Sequence, residues 1–325
     1  MSTLTIDIRH AEPQDAEAIA CTHRAAWSHA YAGILPYKAL RQMLERRNIG
    51  WWQRAVRGST SILVLDVGGT VAATATLAAL SPDFARGQVI KPDDKRIAIS
   101  HVDIASPDGH GTVRAYVARP AAKKDAKLPV IIVAHENRGL NPHIEDIARR
   151  LAVDGYMAVA PDALTTIGGY PGDEDKARTA FATLDRNKIG EDFVAAATYA
   201  RTMAGSNGKI ATVGFCFGGW IANMLATRIP DLRAAVPFYG SPPTLADVPK
   251  IKAELLIHYG GNDVRTNAAW PDYEAALKQA GVRYTAHIYD GAEHGFNNDT
   301  TPRFDKAAAD LAWARTLALF RRTVG

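Results

Sequence analysis

Gly214-Phe215-Cys216-Phe217-Gly218-Gly219 sets one cysteine among three glycines and two phenylalanines. An apolar run, Lys209-Ile-Ala-Thr-Val213, precedes it, and a helical pattern, Trp220-Ile-Ala-Asn-Met-Leu-Ala-Thr227, follows. Strand, tight turn and helix therefore meet at one cysteine flanked two residues away on each side by glycine. A residue in so sharp a turn is backbone-strained, and its flanking positions must be small for strand and helix to pass closely. A thiol at a helix N-terminus also meets the positive end of the macrodipole, which favours the thiolate. By itself the hexapeptide fits a reactive nucleophile or a buried structural cysteine equally well.

The residues downstream separate the two. Two more strand-like runs follow, Arg233-Ala-Ala-Val-Pro-Phe238 and Ala253-Glu-Leu-Leu-Ile-His-Tyr259, and the second leads into Gly260-Gly-Asn-Asp263. A further run, Arg283-Tyr-Thr-Ala-His-Ile-Tyr289, leads into Asp290-Gly-Ala-Glu-His-Gly-Phe296. Cys216, Asp263 and His294 each fall just past a strand end, where open parallel sheets gather their ligands and catalytic groups. Taken singly, Asp263 is a turn aspartate and His294 a solvated loop histidine. In the order nucleophile, acid, base, at three successive loops, they read as a catalytic triad.

The elbow, with cysteine in the serine place of G-x-S-x-G, resembles that of the α/β-hydrolases. Together with Asp263, His294-Gly-Phe296 and Val133-Ala-His-Glu-Asn-Arg-Gly139, it resembles the dienelactone hydrolase family over roughly residues 81–325. The resemblance implies an α/β doubly wound, mostly parallel sheet and hydrolysis of an ester or lactone through a thioacyl-enzyme. It implies that Glu136 hydrogen-bonds the resting thiol, although a surface-loop acid is the other reading of that residue. It also implies an oxyanion hole built from the N–H groups of Asn137 and Phe217. Family members acting on dienelactone hold its carboxylate with arginines, for which Arg138 and Arg303 are the nearby candidates. Those members carry serine after the histidine, where this chain has Gly295. Tyr239 and Phe296 are further candidates for substrate contact. The loop Thr165-Thr-Ile-Gly-Gly-Tyr-Pro-Gly172 either borders the site, offering Tyr170, or is a plain connection.

Composition bounds the rest. The chain has 325 residues, 47% hydrophobic and 22% charged, and this describes an ordinary globular protein long enough for two units. A net charge of +4 without a concentrated basic run gives no reason to expect nucleic-acid binding. The two cysteines, Cys21 and Cys216, stand in unrelated contexts and fit a reducing compartment better than a disulfide. No apolar run approaches the ~20 residues of a membrane span. The first residues, Met1-Ser-Thr-Leu-Thr-Ile-Asp7, lack the basic start of a signal peptide, so a cytoplasmic location is expected. The histidines are scattered without the spacing of a metal site, so neither metal nor cofactor is expected. His258 and His287 fall inside strand patterns and read as packed there.

Residues 1–80 form a separate α+β segment in this reading. A short strand over residues 5–9, a helix entered at Pro13, helical stretches at 37–46 and 49–57, and a hairpin turning at Gly68-Gly69 follow in order. That order resembles the first half of a GNAT-type N-acetyltransferase. The coenzyme A loop such an enzyme needs, [Q/R]-x-x-G-x-[G/A], does not occur in the chain, so the pyrophosphate would have no cradle. The segment is read as structural or vestigial, and residues 81–97 as a linker to a hydrolase domain at 98–325. Two rival functions remain beside the hydrolase: a non-catalytic binding or scaffold protein on the same fold, and an acetyltransferase.

Overall fold

The computed structural model describes residues 6–31, 41, 44, 45, 47–57, 62–67, 70–76, 89–123 and 125–325. The expected helix at 37–46 falls largely outside these residues. So do Gly68-Gly69 and residues 81–88 of the expected linker. The chain divides into two compact units, Met1–Arg86 and Gly87–Gly325.

In the first unit, β1 (Ile6–His10), β2 (Ile62–Val67) and β3 (Thr70–Thr76) form an antiparallel sheet in that order. The register pairs Val67 with Thr70, so β2 and β3 are the two arms of a hairpin. Helices α1 (Ala16–Tyr31) and α2 (Ile49–Arg57) contribute Ala16, Ile19, Ala20 and Trp52 to a small core with Ile62, Val64 and Val71. Arg9 bridges Asp15 and Asp66, pinning the start of α1 to the sheet.

The second unit is built on an eight-stranded sheet. Its strands are β4 (Ile97–Ser106), β5 (Gly111–Pro120), β6 (Leu128–Ala134), β7 (Met157–Pro161), β8 (Ser206–Phe215), β9 (Ala234–Phe238), β10 (Glu254–Gly260) and β11 (Tyr284–Tyr289). They lie in the order β11-β10-β9-β8-β6-β7-β5-β4. Every pairing from β11 to β7 is parallel, while β4 and β5 close the far edge antiparallel. Leu128-Pro-Val-Ile-Ile-Val-Ala134 is buried at every position, as a strand covered on both faces must be.

Successive side chains point to opposite faces, so each strand feeds two cores. Ile131 and Val133 face α3 (Pro142–Val153) and α9 (Lys306–Thr323), which present Ile144, Ile147, Leu151, Leu319 and Phe320. Val130, Ile132 and Ala134 face α5 (Arg186–Thr202), α6 (Phe217–Arg228) and α8 (Trp270–Gln279), which present Ile189, Phe193, Ile221, Leu225 and Leu277. Helix α4 (Glu174–Phe181) is N-capped by Asp173, and the four-residue α7 (Val264–Asn267) by Asp263. Asn141 caps α3 by accepting from the Ile144 N–H, with Pro142 in the first turn. His258 is fully buried, and its Nδ1 and Nε2 meet the Tyr289 and Thr316 hydroxyls. Burial, with the nearby His287 and Arg315, pushes it well below the ordinary histidine range, so it is a neutral core residue. Among the described residues no helix is long and apolar enough to cross a membrane.

Candidate active site

β8 ends at Phe215, and α6 begins at Phe217; Cys216 between them takes φ 54 and ψ −111. A non-glycine residue there costs on the order of 1–3 kcal/mol and persists only where its surroundings hold it. Here the Cys216 N–H donates to the Phe238 carbonyl at 3.0 Å, tying the turn to the end of β9. The flanking glycines are dictated by backbone rather than by flexibility. A Cβ on Gly214 would run into the Gly218 carbonyl, and one on Gly218 into the Ala134 carbonyl. One on Gly219 would lie 2.6 Å from the Phe238 carbonyl oxygen. The helix can start this close to three strands only without side chains at those positions.

The thiol points at His294. Sγ lies 3.1 Å from Nε2, and Nδ1 lies 2.5 Å from Asp263 Oδ2. Asp263 is fixed by its capping role, since Oδ1 accepts the Thr266 N–H at 3.2 Å. Burial alone would lower the imidazole. The hydrogen bond to Asp263, and then the bond to Cys216 with the charges of both, raise it to about 9. Burial works against the Asp263 carboxylate too, yet hydrogen bonds from His294 and Thr266 hold it below its usual range. The three groups thus form a connected acid–imidazole–thiol line at the carboxyl ends of β10, β11 and β8.

Glu136 and Asn137 follow β6. His135, fully buried, donates from Nδ1 to the Glu136 carbonyl at 2.6 Å, while its Nε2 accepts the Ala163 N–H at 3.1 Å. That pair of bonds fixes the ring tautomer and the path of the loop. The N–H groups of Asn137 and Phe217 donate to no other group among the described residues. The Glu136 carboxylate does not meet the thiol: Oε2 accepts from Asn298 Nδ2 at 2.9 Å. The expected resting bond between Glu136 and Cys216 is therefore replaced here by two separate ones, thiol to His294 and carboxylate to Asn298.

The expected substrate contacts divide. Arg138 pairs with Glu174 at 3.0 Å and donates to Asn137 Oδ1, and Tyr170 donates to the same Glu174 at 2.8 Å. Both are gathered on that acid rather than on Cys216, Asp263 or His294. Arg303 lies against the His294 loop, and a Cβ on Gly295 would sit 3.3 Å from its guanidinium. Gly295 takes φ +87, a backbone conformation that strains any residue with a side chain, so glycine suits this position. Arg303 is half-buried and makes no ion pair among the described residues. Phe296 is fully buried among Phe238, Tyr239 and Tyr289, so it packs behind the site instead of facing a substrate. Tyr239 packs its ring 5.0 Å from that of His294, at φ 38, and its buried hydroxyl has no partner. Burial, with Glu136 and Cys216 nearby, pushes this phenol well above its usual value.

Residues not singled out from the sequence complete the surroundings. Thr266 and Asn298 hold the two carboxylates; the first is signalled by the Asp263-x-x-Thr266 capping pattern, the second by nothing local. Beside Phe217, Phe181 and Trp220 stand 4.9 and 5.3 Å away, and the Arg186 guanidinium covers Trp220 at 3.9 Å.

Comparison with known proteins places the chain in a family. Residues 113–324 match the dienelactone hydrolase family. A Saccharolobus solfataricus protein named "Putative carboxymethylenebutenolidase" is 33% identical over 246 residues, spanning 65% of this chain and 94% of its own. An Escherichia coli K12 protein of the same name is 32% identical over 252 residues, spanning 73% and 92%. The solved structure titled "Putative Dienelactone Hydrolase from Klebsiella pneumoniae" is 29% identical, with TM-score 0.60, and covers 69% of this chain and 99% of its own. A dienelactone hydrolase structure from Anabaena variabilis, 19% identical at TM-score 0.56, covers 71% of this chain and all of its own and speaks for the fold alone. The sheet and its flanking helices are those of an α/β-hydrolase, and this chain is a hydrolase that belongs to the dienelactone hydrolase family.

Proposed function

We propose that the protein hydrolyses a small carboxylic ester or lactone through a thioacyl-enzyme on Cys216. The single observation that carries this reading is the 3.1 and 2.5 Å line from Sγ through the His294 ring to Asp263, on a strained elbow. The sulfur attacks the carbonyl carbon, a C–S bond forms, and the carbonyl electron pair moves onto oxygen. The N–H groups of Phe217 and Asn137 receive that oxyanion; losing one such donor typically costs about 10²–10³ in kcat. Collapse breaks the C–O bond, and the departing alkoxide takes the proton carried by His294 Nε2. His294, held in its useful tautomer by Asp263, then removes a proton from water, which attacks the thioester and frees the acid and the thiol.

The substrate reading is coarser. The relatives' names point to a dienelactone-like compound, and Arg303, half-buried without an acidic partner among the described residues, would favour an ester bearing a carboxylate. A scaffold role is the weaker reading, because a strained cysteine elbow and an aligned imidazole serve no packing purpose. The test is hydrolysis of p-nitrophenyl esters and small lactones by wild type and Cys216→Ala. The substituted protein, folded by circular dichroism, should lose turnover, as should wild type after iodoacetamide. Equal turnover by the two proteins would sink the assignment.

A further inference from the structure

Between α3 and α9 opens a cavity of about 350 Å³ whose lining includes none of Cys216, Asp263 and His294. Its walls are Ile147 from α3, Trp313 and Leu317 from α9, and Phe304 from the loop before α9. Asn297, on the same loop, lines it too. That residue is 5% exposed, yet its carboxamide makes no hydrogen bond among the described residues. A buried amide left unpaired is costly, and native proteins keep few of them. The charged groups at the cavity are already engaged. Arg150 sits between Asp146 at 2.6 Å and Asp299 at 2.5 Å, and Asp310 pairs with Lys306. The remaining acid, Asp154, lies in the field of Arg321.

We propose that this cavity is a second small-molecule site, taking a neutral, planar apolar molecule that carries a primary amide. Concave, mostly apolar volumes of roughly 300–1,000 Å³ with a few placed polar groups are what small ligands fill. Trp313 and Phe304 supply aromatic surface for a flat ring, and Ile147 and Leu317 supply aliphatic surface. A primary amide answers Asn297 in kind. Its carbonyl oxygen accepts from the Asn297 NH₂, and its own NH₂ donates to the Asn297 carbonyl oxygen. A carboxylate offers only the first of these bonds and meets Asp154 and Asp310 as like charges, while Arg150 is already held by two acids. A bare hydrocarbon ring would leave Asn297 unpaired. Asn297 stands three positions after His294 and beside Asn298 and Asp299, so an occupant grips the loop that carries the imidazole. The site is independent of the proposed hydrolysis.

Calorimetric titration of the full chain with indole-3-acetamide, and with indole-3-acetate as its charged counterpart, tests this. The amide should bind with a Kd of about 1 mM or tighter, which an efficient ligand of about thirteen non-hydrogen atoms reaches. The acetate should bind at least about tenfold more weakly, through one lost hydrogen bond and the like charges beside it. Asn297→Leu, close in size but without an amide, should weaken indole-3-acetamide about tenfold. Ala314→Phe, at an exposed helix position on the cavity wall, should fill the space and abolish binding, and it decides the matter if Asn297→Leu misfolds. Wild type blocked at Cys216 by iodoacetamide should still bind the amide. No binding by wild type at about ten times the expected Kd overturns the proposal. Equal affinity for amide and acetate overturns it too, as does binding that survives Ala314→Phe or is lost on blocking Cys216. Calorimetry reads binding and not turnover, so failure of the hydrolase reading leaves this site standing, and loss of the site leaves that reading untouched.

Discussion

At the scale of single residues, His294 is the proton carrier of the proposed reaction, and its proton sets a pH limit for it. Burial opposes the imidazolium, but Asp263 and Cys216 outweigh it and raise the ring to about 9. The group raised above its unfolded value, about 6.5, adds stability that is complete below that value and is lost as pH climbs through about 9. Turnover of an aliphatic ester, whose alkoxide needs a proton to leave, should fall along the same alkaline limb. Asp263→Asn removes the strongest lifting contact. It should move that limb to lower pH and reduce kcat by roughly 10³–10⁴-fold, as loss of the orienting acid does in such triads. Rate profiles of the two proteins decide the matter, and an unmoved limb would show that Asp263 does not set the proton affinity of His294. Cys216, Asp263 and His294 were legible in the sequence because each follows a strand run. Asn298 was not, because nothing within a few residues of it mentions Glu136.

Among the elements, the loop between β11 and α9 does the most. It supplies His294 and Asn298, and it anchors itself through Asp299, which lies 3.1 Å from His143 Nδ1 and 2.5 Å from Arg150 Nη2 on α3. Burial would raise this carboxyl, but His143 and Arg150 bring it down to about 2. Its contribution is therefore whole above about 4 and fades as pH falls toward about 2. Asp299→Asn should lower unfolding free energy on the order of 3 kcal/mol at neutral pH, the usual cost of breaking a buried ion pair. Urea melts at neutral and at acidic pH check this, and the gap between the proteins should close on acidification. An equal gap at both would mean that packing, not charge, holds the loop. Elements differed in legibility as well. β6 announces itself by an unbroken apolar run. α5 does not stand out, because its buried face is built from Gly190, Ala196, Ala197 and Ala200 beside Ile189 and Phe193, which gives little hydrophobic contrast.

On the scale of the whole molecule, the family match lies wholly within the second unit. Cys216, Asp263 and His294, the proposed oxyanion N–H groups of Asn137 and Phe217, and the residues that hold them also lie there. A chain shortened to residues 81–325 should keep ester turnover within about threefold, as expected of a unit with its own core. Loss of turnover by that shortened chain, if it is still folded by circular dichroism, would give the first unit a part in the reaction. The first unit has the strand, helices and hairpin expected of a truncated acetyltransferase-like segment, and we keep that reading as a proposal. Calorimetry on the full chain should register no acetyl-CoA binding, since the chain lacks the backbone cradle for the pyrophosphate. Micromolar binding would reverse it.

Read alone, the sequence gives away the parallel sheet, the elbow and the order in which Cys216, Asp263 and His294 follow their strands. Those follow from rules that act over a few residues: apolar runs, glycines where Cβ atoms would collide, caps beside helix starts. The tertiary structure alone decided which groups meet. Cys216 and His294 are 78 positions apart, His294 and Asp263 are 31 apart, and Glu136 and Asn298 are 162 apart. Only the parallel stacking of β6, β8, β9, β10 and β11 brings their following loops to one edge. It also decided that Glu136 bonds an amide rather than the thiol, that Phe296 packs inside, and that Arg138 and Tyr170 share Glu174. A side chain's partner is set by which loops the sheet lays side by side, and no local pattern encodes that distance.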